Sequence, residues 1–415
     1  LASSNINEGK FYVNVLRHLA TGNVKHRLLR DTTQHERLSR RPLGSKNKII
    51  VGVVIPLCLC LCLLPAASAS TALKSKTCVT KNGVKITDPV VCTGLAFYAG
   101  KTITLDVPSA AGSGFDSEYR AVASYMQEYL GASIETTDYA SGASIPGQDA
   151  LAHSVPNGLT FGVLELGSDA LDIAVNVPAL NFNPEHEDFL GSFPPPPFML
   201  EELASEPYAS FQALADHPPA ASDPLRIVST SDNWATLQLN LYLRAFGIPF
   251  SNIFGYTNST TQVAGFARGD GPFIFQTPSI LVGYSSSGYG RALAINGKIK
   301  ASFPDYSSLE SVPTFSALFS SEKHTTANEK TLMKWAQAVG AIPQSVLATP
   351  TKTPTTEVTT LRAAYDYAMH LAPLEATLAL HSIPHGNITG TAAKAIYVKD
   401  LPLMAKAAKV VGGIS

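Results

Sequence analysis

The stretch Ile103-Thr-Leu-Asp-Val-Pro-Ser-Ala-Ala-Gly-Ser-Gly-Phe-Asp-Ser117, followed by Tyr119 to Leu130, decides how this chain is read. Ile103, Leu105 and Val107 alternate as in a strand, the next residues are small turn formers with two glycines, and Tyr119 to Leu130 is amphipathic at helical spacing. Such a strand, turn and helix unit exposes backbone N–H groups at the mouth of the helix. The helix dipole favours negative charge there, so the turn reads as an anion cradle.

Towards the carboxyl end the same grammar repeats. Ser133 to Thr137 reads as a second strand, Tyr139-Ala-Ser-Gly-Ala-Ser144 as a small-residue turn, Gln148 to His153 as a short helix and Leu159 to Leu164 as a third strand. Strands alternating with helices argue for an α/β fold with a parallel sheet covered on both faces, binding ligands at the strand carboxyl ends. Ser113, Ser141 and Ser168 each follow a strand, so their turns are expected to face one crevice. The run Phe193-Pro-Pro-Pro-Pro-Phe198 continues neither a helix nor a central strand and marks a crossing to a second lobe. There Leu225 to Ser229 is a strand, Thr230-Ser-Asp-Asn233 a turn and Trp234 to Phe246 a helix; as single residues, Ser231 and Asp232 also suit N-caps. Gly288 to Ile295 reads as a strand returning to the first lobe, and Ala348 to Thr355 as a Thr/Pro-rich surface link. The expected boundaries are an amino-terminal extension and signal peptide at 1–69, lobe 1 at 70–195, lobe 2 at 196–289, and lobe 1 with carboxyl-terminal helices at 290–415.

The 415 residues suffice for two such lobes. The formal charge of −1 conceals an asymmetry, because residues 1–69 hold ten Lys/Arg against three Asp/Glu, leaving 21 basic and 29 acidic residues beyond them. The acidic body argues against nucleic acid as a partner. Arg40, Arg41, Lys46 and Lys48 precede the apolar run Ile49 to Leu64, and Ala67-Ser-Ala69 follows. This is the pattern of a secretory signal cut after Ala69, with a retained membrane anchor as the alternative. The residues ahead of the basic region are more than such a signal needs, so a start site placed too early is the expectation. Cys58, Cys60 and Cys62 all follow leucine and lack the small residue that a lipid-acceptor cysteine needs before it. Beyond the signal only Cys78 and Cys92 remain, and export predicts a disulfide between them. Closing that loop is worth about 3 kcal/mol in the chain-entropy model.

Taken in order from about Lys101 to Val411, these residues resemble the extracytoplasmic solute receptors of tripartite tricarboxylate transporters, the Bug family. The resemblance is carried by Val107-Pro-Ser-Ala-Ala-Gly-Ser-Gly-Phe-Asp116, Ser141-Gly-Ala-Ser144, Pro156-Asn-Gly-Leu-Thr160, Asn183-Pro184, Ser229-Thr-Ser231, Tyr256-Thr-Asn258 and Ser311-Val-Pro-Thr314. It implies a two-lobed periplasmic-binding-protein (Venus-flytrap) fold, each lobe a mostly parallel sheet flanked by helices with the cleft between. It also implies a monomeric receptor without a cofactor, passing a small organic carboxylate to membrane permease subunits. Carried over, Ala111, Gly112, Ser113, Gly114 and Asp116 form a first clamp, and Ser141, Gly142, Ala143 and Ser144 a second. Gly167 and Ser168 close the floor, and Ser229, Thr230, Ser231, Asp232 and Asn233 meet the ligand from the other lobe. Small residues with N–H and hydroxyl donors hold an anion without a buried Lys or Arg, which suits release. The chain departs from the family at Asn157, at Thr257-Asn258, and at Gln276, near which an acid is usual; Gln276 would let the ligand's distal group be neutral or differently charged.

Other functions find less support. The Gly112-x-Gly114 pair has Ser117 where a dinucleotide fingerprint needs a third glycine. Gly283-Tyr-Ser-Ser-Ser-Gly288 lacks nucleophile-elbow spacing, and Pro384 keeps His381 and His385 off one helical face, so neither hydrolase nor metal chemistry is expected. An extracellular sensor of the same fold, feeding a kinase, is the nearest alternative.

Overall fold

Alternation along Thr102–Val107 sends Ile103, Leu105 and Val107 into one core, where all three are fully buried. The structure, a computed structural model, describes residues 77–140, 144–231, 233–256, 258–297, 304–322, 325–380, 383–384 and 386–411. The expected signal segment and its expected cleavage site lie outside the described residues.

A hairpin of β1 (Cys78–Val79) and β2 (Lys85–Ile86) is tied by the Cys78–Cys92 disulfide to α1 (Pro89–Tyr98), with 5.6 Å between the two Cα atoms. There follow β3 (Thr102–Val107), α2 (Gly114–Leu130), β4 (Ser133–Asp138), α3 (Ile145–Ala152), β5 (Thr160–Leu164), α4 (Leu166–Val175) and β6 (Asp188–Ser192). The second lobe brings β7 (Met199–Leu203), α5 (Phe211–Asp216), β8 (Leu225–Val228), α6 (Trp234–Ala245), β9 (Phe250–Ile253), α7 (Ser259–Arg268), β10 (Phe273–Gln276), α8 (Pro278–Ser286) and β11 (Gly290–Ile295). The remainder is α9 (Phe315–Ser321), α10 (Ala327–Ala341), β12 (Val346–Thr349), α11 (Thr355–Met369), α12 (Ala372–Leu380), β13 (Ile388–Thr389) and α13 (Gly390–Val411).

One sheet has the order β13-β6-β12-β5-β3-β4 and the other β11-β7-β10-β8-β9, so the two-lobed α/β architecture is present. Both sheets are mixed rather than mostly parallel. In the first, β3 runs parallel to β4 and β5 while β12 opposes β5 and β6. In the second, β8 runs parallel to β9 and β10 while β7 opposes β10 and β11. The parallel strands finish at the interlobe cleft, so a strand entering its lobe from the cleft must run the other way. Met199 thus lies opposite Gln276, and Val346 opposite Leu164, each pairing the start of an entering strand with the end of a resident one.

Gly290–Ile295, expected to return to the first lobe, pairs with β7 and stays in the second sheet. Its helices stay too: Phe315 of α9 stacks on Tyr242 of α6 at 4.2 Å, and the Ala336 carbonyl of α10 accepts from Gln238 of α6 at 3.1 Å. The return falls at β12, all four residues of which are buried, so Ala348 and Thr349 belong to an interior strand and not to a surface link. The Gly283 to Gly288 segment, read as a loop, largely forms the end of α8. Among the described residues no helix is long and apolar enough to cross a membrane, and no group of three His, Cys, Asp or Glu has metal-site geometry. His381 and His385 lie outside the described residues.

Candidate functional site

A cleft of about 430 Å³ opens between the lobes. Its lobe-2 wall begins where β8 ends, at Ser229 and Thr230. Asn233 caps α6, accepting the Thr236 N–H at 3.0 Å and donating to the Thr230 hydroxyl at 3.2 Å. Ser231, exposed, builds the turn with its carbonyl, which accepts from the Thr236 hydroxyl at 2.8 Å and the Asn233 N–H at 3.0 Å. Gln276 lines the same wall with its amide already committed: Nε2 donates to Ser259 Oγ at 3.1 Å and Gln262 Oε1 at 3.2 Å, while Oε1 accepts the Thr277 N–H at 2.8 Å. Because Ser259 accepts from Gln276, its own proton is left for the cleft. Aromatic rings fill the space between these donors, with Phe198 lying 5.1 Å from Trp234 and 5.4 Å from Phe275.

On the lobe-1 side the opening turn already contains an anion, the carboxylate of Asp116. Gly112, at φ +77°, donates its N–H to Asp116 Oδ2 at 2.7 Å, and Asp116 Oδ1 pairs with Arg120 Nε. Arg120 reaches on to Asp138 at 2.6 Å. Ser113 caps α2 by accepting the Asp116 N–H at 3.2 Å. Among the described residues Ala111, Gly112, Ser113 and Asp116 do not line the cleft; Phe115 and Glu118 of the same helix do.

Ser144 and Ser168 are brought together, but on a carboxylate. The Ser144 hydroxyl donates to Glu165 Oε1 at 2.7 Å, and Ser168, like Ser144, acts to lower the pKa of that carboxyl. Burial raises the Glu165 carboxyl above its ordinary value, and burial with Glu165 nearby raises that of Asp169 well above. Gly167 marks a close approach of the lobes, since a Cβ there would lie 2.8 Å from the Trp234 ring. Ser141, Gly142, Ala143 and Asp232 lie outside the described residues.

Of the sequence-predicted residues, then, the cleft gathers Ser229, Thr230, Asn233 and Gln276. Sequence reasoning passed over Phe115, Glu118, Trp234, Ser259, Gln344 and Ser345, which line it too. Phe115 and Glu118 carried a signal, being three apart at the start of the helix that follows the turn. Among the described residues Glu118 is the one charged residue of the lining, and burial pushes its carboxyl up to about 7.

No family model and no curated protein matches the chain. Solved structures do: the fold is that of two-lobed periplasmic solute-binding proteins. A TctC solute-binding protein from Polaromonas, solved without ligand, matches with a TM-score of 0.58 at 18% identity, over 75% of this chain and 99% of that one. MatC from Rhodopseudomonas palustris with bound malate matches at 0.55 and 17%, over 74% and 99%. A further R. palustris protein with adipate matches at 0.57 and 18%, over 75% and 97%.

Proposed function

We propose that this chain is an extracytoplasmic solute-binding receptor of the tripartite tricarboxylate transporter type. It captures a small carboxylate between its lobes and delivers it to membrane permease subunits, acting as a monomer without cofactor or catalysis. The observation that carries this reading is an interlobe cleft lined by neutral hydrogen-bond donors and aromatic rings on the solute-receptor fold. Ser229, Thr230 and Asn233 are the proposed carboxylate contacts, reinforced by the amino-terminal end of α6. Closure turns on the two crossings at 192–198 and 342–345, which are joined where the Ser192 hydroxyl donates to the Ser345 carbonyl at 2.6 Å. Export, required for this role, accords with the amino-terminal basic and apolar pattern and with the Cys78–Cys92 disulfide.

A thermal-shift screen tests the proposal. A cognate acid at a hundred times its Kd stabilises by about 2.7 kcal/mol and raises the melting temperature by several degrees. A flat response across dicarboxylates, tricarboxylates, aromatic acids and amino acids overturns it.

A further inference from the structure

We propose that Glu118 sets the specificity of the cleft, selecting a carboxylate that also bears a cationic nitrogen on an apolar body over a dicarboxylate. This rests on the receptor reading and names the other end of its ligand.

Glu118 lines the cleft from the first turns of α2, one helical step from Phe115. Phe115 packs 6.2 Å from Tyr119, and Tyr119 5.4 Å from Phe193, so the acid stands beside an aromatic cluster. Among the described residues no hydrogen bond or ion pair engages its carboxylate. The adjacent cation, Arg120, is committed to Asp116 and Asp138, and among the described residues no Lys, Arg or His lines the cleft. Burial pushes the pKa of the Tyr119 hydroxyl up, and the nearby Glu118 and Glu165 add to that push.

An acid in a confined space without a cation is costly when ionised. A second ligand carboxylate would add like-charge repulsion, whereas an ammonium supplies the missing partner and gains further from neighbouring aromatic faces. The donors of the lobe-2 wall remain for the ligand carboxylate, so the two ends are sorted between the lobes.

The test uses matched triplets that differ at one carbon by hydrogen, ammonium or carboxylate: 3-phenylpropanoate, L-phenylalanine and benzylmalonate, with the corresponding sets on propanoate and hexanoate. Calorimetric affinities are measured for the parent and for Glu118→Gln. The ammonium member of the bound triplet is expected to exceed its dicarboxylate by roughly tenfold or more, the scale of one partly buried charge contact. Glu118→Gln is expected to abolish that preference, with an unchanged circular dichroism spectrum and cooperative melting reporting that the variant is folded. A parent that prefers dicarboxylates, or a variant that keeps the ammonium preference, overturns the assignment and leaves the receptor reading standing. Binding of no member of any triplet overturns the assignment alone, because the receptor reading answers to the wider thermal-shift screen.

Discussion

Asp116 is 3% exposed with both carboxylate oxygens engaged, one by the Gly112 N–H and the other by Arg120. Asp116→Ala leaves both donors without their acceptor and is expected to cost about 2 kcal/mol in urea denaturation. Asp116→Asn keeps an acceptor for Gly112 and is expected to lose less. An alanine variant as stable as the parent that fails to bind ligand would instead place Asp116 on the ligand. The cradle itself was legible in the sequence, because turn, glycine and helix start are local. Its occupant was not, because a carboxylate one helical turn further on serves equally well facing the turn or the solvent. The spacing of Phe115 and Glu118 was legible, but the burial of Glu118 was not: an acid on a helix is ordinarily solvated, and only the fold brings distant segments such as Phe193 to Phe198 to the same cleft.

Between elements, the contact of α4 with α6 depends on Gly167 having no side chain beneath the Trp234 ring. Gly167→Val is expected to push the ring aside and loosen the junction of the lobes. Its expected signature is at least tenfold weaker ligand binding and a shifted emission from Trp234, with Trp335 as the only other tryptophan. Unchanged emission and affinity would show that the junction tolerates the added bulk. The strand–helix alternation of residues 102–164 was readable from periodicity; the helix Leu166–Val175, which takes up Gly167 and Ser168 where a turn was expected, was not. The four-residue β12 was not, because so short a run gives no period, and the Thr and Pro residues after it suggest a surface. Gly290–Ile295 had the right type and the wrong sheet, since a strand's pattern records burial and does not name its partner.

For the molecule as a whole, buried acids govern the response to pH. Burial pushes Glu118, Glu187, Glu201 and Glu202 each up to about 7 and Asp106 up to about 6, in spite of Arg291 at 2.6 Å from Glu202. A carboxyl whose folded pKa lies above its unfolded value holds more protons when folded, so its contribution is complete below the unfolded value of about 4 and is lost as pH rises through about 7. The ligand-free protein is therefore expected to melt higher at pH 5.5 than at pH 8, by scanning calorimetry in matched salt. A higher melting point at pH 8 would mean that these acids are better solvated than their burial indicates. Two lobes were foreseen from the proline run and the renewed strand–helix grammar; the mixed sheets were not, because strand direction follows from which end of a lobe the chain enters.

The order β6-β12-β5 has a consequence for how the chain is built. Synthesis runs from the amino end, so all five strands of the second sheet are available once Ile295 has emerged, and that sheet can close on itself. The first sheet cannot, because its middle place belongs to Val346–Thr349, and until then β5 presents one unsatisfied edge and β6 two, its other partner being β13. The earlier-made lobe is thus the later to be finished, and in a chain interrupted before residue 346 one edge of β5 and both edges of β6 lack their partner strands.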